Sequence, residues 1–343
     1  MTRRFLTITL AAAFAATIAL PSWAARPAGT DASWSPAGSP NATVSQTSAV
    51  YLKGKVYMPG GWLSGFASVY TRMQILKPKT NAWSADSERM PTATAQSAVC
   101  ANGSKVYVVN GIDGSGVVQS KVQIYNPGAP QGSRWSTGPG PSTPADGSLY
   151  SRDGGCAWIN GMLYLFGGDA STSNGTINGI SDFTWVLDPN AGTWSDTGFS
   201  LPVPEWTFAY TQSTNYAFVA GGQDKDGNYL QNVSRFSPSS GWSKRAKLPT
   251  PPGAPNGTGL EWPGMGFLGN SLAVFGGVAT NVWYQSRTLV CQLPCTTFGT
   301  WTNAHKDLVA ARSELASASS GKTLFAIDGA GNGGFQSTAE RTT

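Results

Sequence analysis

The sequence predicts an all-β fold, a six-bladed propeller, on three observations. A short apolar run closed by a glycine or glycine-like doublet recurs six times, a tryptophan follows most of the doublets at similar distance, and the two chain ends read as complementary parts of one repeat. The runs are Val56-Tyr57-Met58-Pro59-Gly60-Gly61, Val106-Tyr107-Val108-Val109-Asn110-Gly111, Leu163-Tyr164-Leu165-Phe166-Gly167-Gly168, Ala217-Phe218-Val219-Ala220-Gly221-Gly222, Leu272-Ala273-Val274-Phe275-Gly276-Gly277 and Leu324-Phe325-Ala326-Ile327-Asp328-Gly329. Steps between closing glycines are 50, 57, 54, 55 and 52 residues. A period of this size marks a repeat architecture. Each run suits a strand buried on both faces. The first doublet position is always Gly, Asn or Asp, the residues that best tolerate a left-handed backbone, so a turn with positive φ is expected there.

Along the chain, Arg3 and Arg4 precede an apolar stretch over residues 5–20, and Ser22-Trp23-Ala24 follows. This is the layout of a secretory signal, which predicts a leader over 1–24 and a single exported domain over 25–343, secreted or periplasmic. No other stretch reaches membrane-spanning length. Within each repeat, Trp83, Trp135, Trp194, Trp242 and Trp301 follow their doublets by 20 to 26 residues. Turns such as Asn126-Pro127, Asp188-Pro189 and Ser237-Pro238 come shortly before, and one further strand, for example Val122-Gln123-Ile124-Tyr125, separates doublet from turn. Four strands per repeat, stacked radially, make the blades of a propeller. After Gly329 only a third strand fits, whereas Trp34 near the N-terminus stands where Trp83 stands in the next repeat. The N-terminal segment is therefore expected to supply the outer strand of the last blade and close the ring, leaving no exposed edge. Deleting residues 25–45 should then destabilise the whole domain.

Apolar strand, Gly-Gly, turn and tryptophan, repeated along residues 31–343, resemble the kelch repeat. The resemblance implies a kelch-type propeller, whose members bind and catalyse many things. It also implies that two loop sets share one rim: the loops after the doublets, and those leading into the innermost strands. Galactose oxidase, a copper enzyme with kelch-like blades, needs two histidines at its metal, and His305 is the only histidine here. A copper radical site is not expected, and neither is another metal or a cofactor. Asp224-Lys-Asp226-Gly227-Asn228 hints at a calcium loop, but Asp-Gly is also what a tight hairpin needs.

Four cysteines in an exported chain invite pairing. Cys291 and Cys295 are expected to bridge within an outer loop. Cys100 and Cys156 occupy equivalent inner strands of adjacent repeats and fit either a bridge or two buried thiols. Only 12% of residues are charged, and the formal charge is +5. Lys and Arg are scattered along the sequence without a basic stripe, so neither nucleic acid nor membrane insertion is expected. Nothing suggests oligomerisation, and a monomer is expected.

The candidate site comes from register. Gln46, Gln96, Asp153, Thr207, Trp262 and Glu314 each stand 15 positions before a closing glycine. Together they should ring the mouth of the central channel. Arg152, Glu205, Trp206, Glu261 and Arg312 adjoin them, and the doublet loops add Trp62, Asp113, Asp169, Gln223, Asp224 and Asn332. Indole faces take sugar rings or cations, and carboxylates take hydroxyls or amines. Arg152, Asp153, Glu205, Trp206, Glu261, Trp262, Arg312 and Glu314 are thus the candidate ligand-binding residues. The leading expectation is a binding module for a carbohydrate or an extracellular protein or peptide, rather than an enzyme. A cofactor-free sugar-processing enzyme, such as a mutarotase or epimerase, is the second reading, and a structural or adhesive protein the third.

Overall fold

A computed structural model describes residues 33–140, 151–171, 177–297, 300–303 and 306–343, with the side chains of 170–178 left aside. The leader over 1–24, Asp31, Asn174 and His305 lie outside the described residues. Six antiparallel units follow one another in chain order. Blade 1 comprises Val50–Leu52, Lys55–Pro59, Arg72–Lys77 and Ala82–Arg89, innermost strand first. Blade 2 has Ala98–Ala101, Val106–Val109, Val122–Tyr125 and Trp135–Gly138. Blade 3 has Gly155–Ile159, Met162–Phe166, Phe183–Asp188 and Thr193–Ser200, and blade 4 Ala209–Gln212, Ala217–Ala220, Val233–Ser237 and Gly241–Lys244. Blade 5 has Gly264–Leu268, Ser271–Phe275 and Thr288–Gln292, with Thr302 bridged to Val290 at the outer edge. Blade 6 runs Ala316–Ser319, Leu324–Ile327 and Ala339–Thr342, and its outer strand is Ser35–Pro36, paired to Arg341 and Glu340. The ring therefore closes by pairing of the two chain ends, as the surplus at the N-terminus implied.

Each doublet strand is the second of its blade, buried on both faces because blades stack against each other. The core is accordingly six slabs between neighbouring blades. Cys100, Tyr107 and Val109 of blade 2 pack against Cys156, Leu163 and Leu165 of blade 3. Met58 and Leu76 of blade 1 pack against Phe325 and Ile327 of blade 6.

Two devices join the slabs, and both explain the sequence landmarks. The first is the doublet. Its first residue has φ between 50° and 71° in every blade, Asn110 and Asp328 included. The closing glycine then donates its N–H to the following blade: Gly61 to Thr94 O, Gly111 to Ser151 O, Gly168 to Glu205 O, Gly222 to Leu260 O, Gly277 to Arg312 O and Gly329 to Val44 O. A Cβ on the closing Gly329 would stand 2.4 Å from Ser313 O, which is why the closing position is glycine in every blade. Where Asp328 replaces glycine, its carboxylate instead accepts the Val44 N–H at 3.1 Å.

The second device is the tryptophan. The indole N–H reaches the preceding blade from Trp34 to Thr288 Oγ1, from Trp83 to Ala37 O, from Trp194 to Pro139 O, from Trp242 to Thr184 Oγ1 and from Trp301 to Ala246 O. Both cysteine pairs are bridged: Cys291–Cys295 with Cα–Cα 5.6 Å, and Cys100–Cys156 with Cα–Cα 5.8 Å, the latter tying two blades.

Candidate functional site

The six register positions do converge. Gln46, Gln96, Asp153, Thr207, Trp262 and Glu314 all line one cavity at the doublet end of the channel, of about 60 Å³. All six have left-handed backbone, with φ between 46° and 56°. Their N–H groups follow one another round the mouth: Gln46 donates to Glu314 O, Gln96 to Gln46 O, Asp153 to Gln96 O, Thr207 to Asp153 O and Trp262 to Thr207 O, at 2.7–3.0 Å. For a β-branched or bulky residue such as Thr207 or Trp262 this conformation is a genuine outlier. The hydrogen-bonded ring holds it in place.

The mouth is rich in carboxyls. Asp153 accepts from Gln96 Nε2 at 2.6 Å. Burial lifts its carboxyl well above the usual range, the charges of Glu314, Asp169 and Glu261 add to this, and Arg152 opposes it. Glu261 is raised by burial, against hydrogen bonds from Tyr229 and Thr207, the latter at 3.3 Å. Glu314 is likewise raised by burial, with Ser45 and Gln46 opposing. Three carboxyls thus hold protons further towards neutral pH than a solvated acid would. Arg152, the nearest cation, grips Asp169 through Nε and Nη2 at 2.9 and 2.8 Å, and its guanidinium lies 5.6 Å from the Trp206 ring centroid. Trp206 in turn donates to Gln223 Oε1 at 3.1 Å.

Two of the candidate residues are turned away from the mouth. Glu205 and Arg312 stand two positions before the ring residue, where Val44, Thr94, Ser151 and Leu260 stand in the other blades, and all six are buried. At this position the backbone carbonyl serves the preceding doublet, and the side chain enters the slab between blades. Arg312 is 0% exposed and committed to blade 6, donating to Thr338 O at 2.8 Å, to Thr338 Oγ1 at 3.0 Å and to Glu340. Glu205 is 1% exposed, it accepts from the Asn232 amide at 3.3 Å, and burial pushes its carboxyl up to about 8. Both side chains lie in the packing of the blades rather than at the mouth. Asp224 accepts the N–H groups of Asp226 and Asn228, so its loop is an aspartate-capped turn.

Of the aromatic residues in the doublet loops, sequence reasoning named Trp62 and missed Phe66, Trp283 and Phe335. Trp283 is 71% exposed on the hairpin Trp283–Tyr284, which pairs with Val278–Ala279 beside Glu261. Phe66 sits edge-on to Trp62 and Phe335, with centroids 6.3 and 5.1 Å apart. Trp283 lies outside the doublet-to-tryptophan rhythm, and that irregularity was its only signal.

No family model matches the chain. Among curated proteins it is similar to Kelch-like protein 35 of Mus musculus, 24% identical over 192 residues, 56% of this chain and 29% of that protein. It is also similar to a Kelch domain-containing protein of Sulfurisphaera tokodaii, 29% identical over 170 residues, 48% of this chain and 22% of that protein. The chain thus matches less than a third of either relative's length. Among solved structures, that of YjhT superposes with a TM-score of 0.66 at 17% identity, covering 88% of this chain and 94% of the other, a likeness of fold. Repeats, blade architecture and relatives agree that this chain is a kelch-repeat β-propeller.

Proposed function

We propose that the protein is an exported binding module that takes a carbohydrate across the doublet-end mouth of its channel. A kelch propeller is in general a binding or protein-interaction module. The observation that carries the finer reading is the small cavity itself, walled by the carboxyls of Asp153 and Glu314, the amides of Gln46 and Gln96, the Thr207 hydroxyl and Trp262, with Glu261 behind Thr207. Carboxyl oxygens accept from sugar hydroxyls, and the glutamine amides both donate to and accept from them, a set that fits hydroxyls better than it fits an anion. A cavity of about 60 Å³ admits only the tip of such a ligand. The body would lie over the rim, where Trp206 and the exposed Trp283 offer ring faces. The leader-like N-terminus and the two disulfides support export.

The same carboxyls favour a second reading, a cofactor-free sugar-processing enzyme, because a group that titrates nearer neutrality suits general acid–base work. A glycan array beside a peptide library, followed by calorimetric titration of the best hit, tests both. Trp262→Ala should weaken glycan binding by about 1–3 kcal/mol, the usual loss of an aromatic anchor. Glu261→Gln should bind with only a modest change if the protein is a binder. In an enzyme it should bind but lose about 10²–10⁴ in turnover. Peptide hits without glycan hits, or glycan binding indifferent to Trp262, would overturn the carbohydrate reading.

A further inference from the structure

The opposite end of the channel holds a larger space. Tyr210 of blade 4 reaches past blade 3 to blade 2, where its hydroxyl donates to Val99 O at 3.2 Å and accepts Val99 N–H at 2.6 Å. Tyr210 lines both cavities, together with Ala49 and Ser317, and stands between them. Beyond it, towards the turns that join first and second strands, lies a chamber of about 370 Å³. Ligand pockets commonly run from about 300 Å³ upward, so this chamber, unlike the one at the doublets, holds a whole small molecule.

Its walls are preorganised. Gln212 donates to Ala101 O at 3.0 Å and accepts from Trp158 N–H at 2.9 Å, and the Cys100–Cys156 bridge fixes the same two blades from inside. The lining combines hydroxyls and amide groups (Tyr51, Thr211, Gln212, Ser317) with apolar surface such as Leu52 and Met265, and contains no carboxylate. Lys53 is its one charged side chain. The turns around this mouth are residues 53–54, 102–105, 160–161, 213–216, 269–270 and 320–323. Their charged residues are Lys53, Lys105 and Lys322, without a single Asp or Glu. These lysines belong to blades 1, 2 and 6, which are neighbours, so cations scattered in the sequence become one arc. Among the described residues none of them is ion-paired; the four ion pairs involve other groups.

We propose that this chamber is a second binding site, for a small organic anion whose uncharged body fills the cavity and whose acidic group meets the lysine arc at its mouth. Positive potential of one sign at a concave, low-dielectric mouth concentrates anions. The carboxyl-rich doublet end would repel the same ligand, which gives the two ends opposite selectivity.

The test is calorimetric titration of the disulfide-intact protein with glucuronate and with phenylacetate, each beside its neutral counterpart, glucose and phenylacetamide. At least one acid should bind while its neutral partner binds about tenfold more weakly or not at all. Which acid prefers the site separates a sugar acid from an aromatic one. Lys53→Gln should cost roughly five- to tenfold in affinity, and raising salt from about 50 to 500 mM should do likewise. Thr211→Trp fills the chamber and should abolish binding, its fold being checked by melting temperature. If that variant fails to fold, the double variant Lys105→Gln, Lys322→Gln serves, because both are turn residues. Trp262→Ala, at the other end, should leave anion affinity unchanged. Absence of binding by both acids at millimolar concentration would overturn the proposal. So would affinity indifferent to Lys53 and salt, or affinity that falls with Trp262→Ala.

Discussion

Replacing Trp34 tests how the ring is held shut. Trp34 is 4% exposed, its ring centroid lies 5.0 Å from that of Phe275, and it packs with Val290, Leu308, Leu315 and Leu324 in the slab between blades 5 and 6. Its indole N–H donates at 2.9 Å to Thr288 Oγ1, which belongs to a residue with no exposed surface. Trp34→Ala loses the aromatic packing and leaves a cavity, together about 3–5 kcal/mol. Trp34→Phe keeps most of the packing and deletes only the N–H, so about 1–2 kcal/mol is expected, mainly from the stranded hydroxyl. At roughly 2–3 °C per kcal/mol for a chain of this size, the alanine variant should melt about 10 °C lower. Urea titration with disulfides intact gives the free energies, and Trp283→Ala, at a side chain mostly in solvent, is the control, expected within about 0.5 kcal/mol of the parent. An alanine variant as stable as the control would mean that the N-terminal strand is not what closes the ring, and would refute the reasoning from blade count to chain ends.

The remaining predictions concern buried charge and the cross-links. Glu205 and Asp328 hold their protons up to about 8, both chiefly through burial. The folded state then binds more protons than the unfolded state between the ordinary carboxyl range and that value, so stability is greatest at low pH within this window and falls as pH rises through it. Thermal melts should therefore drop from pH 6 to pH 9. Glu205→Gln should remove part of that slope, at most about 3 kcal/mol of it between pH 6 and 9, and leave the variant more stable than the parent at pH 9; an unchanged slope would return Glu205 to an ionised role. For the disulfides, loop length sets the ranking. The bridge spanning 56 positions, Cys100–Cys156, should contribute about 4 kcal/mol and the one spanning 4, Cys291–Cys295, roughly 2 kcal/mol, by loop-closure entropy. Paired Cys→Ser variants in urea would show the opposite order if local packing outweighs chain entropy.

Much of the fold was legible because its joints are made by backbone. A doublet whose N–H serves the next blade tolerates only residues comfortable at positive φ, so Gly60-Gly61 and its relatives stand out in any reading, and Asn110 and Asp328 are recognisable stand-ins. The tryptophans were legible for a related reason: one large side chain per blade packs at the slab, and in every blade but the second its indole N–H donates to the preceding blade. The disulfide within residues 291–295 follows from proximity, whereas spacing could not orient Cys100 towards Cys156 across two blades. At the site, register placed the ring but not the direction of its neighbours. Arg152, Trp206 and Glu261, one position before the ring, reach the mouth or its rim. Glu205 and Arg312, one position earlier still, point into the packing, because successive side chains of an extended segment alternate in direction. Sequence position alone cannot separate adjacent polar residues by that alternation until the turn into the ring is known.

The division of labour within each blade also explains why the two mouths can differ so much in chemistry. At the doublet end, ring residues bond to one another through N–H and C=O, and doublets bond to the next blade in the same way. Neither set of bonds depends on which side chain is carried, apart from the steric limit on positive φ. Six positions around an axis are thus available to Gln46, Gln96, Asp153, Thr207, Trp262 and Glu314, with different charge and size in successive blades, and the five backbone bonds that link them are kept. At the opposite end the turns are equally indifferent to side chain, and there the charged positions are lysines. Tyr210 stands between the two environments, its hydroxyl bonded to Val99 across the channel, and with Ala49 and Ser317 it lines both cavities. A through-channel would let the opposing charges screen one another; a divided one lets each end keep its own potential, and so its own class of ligand.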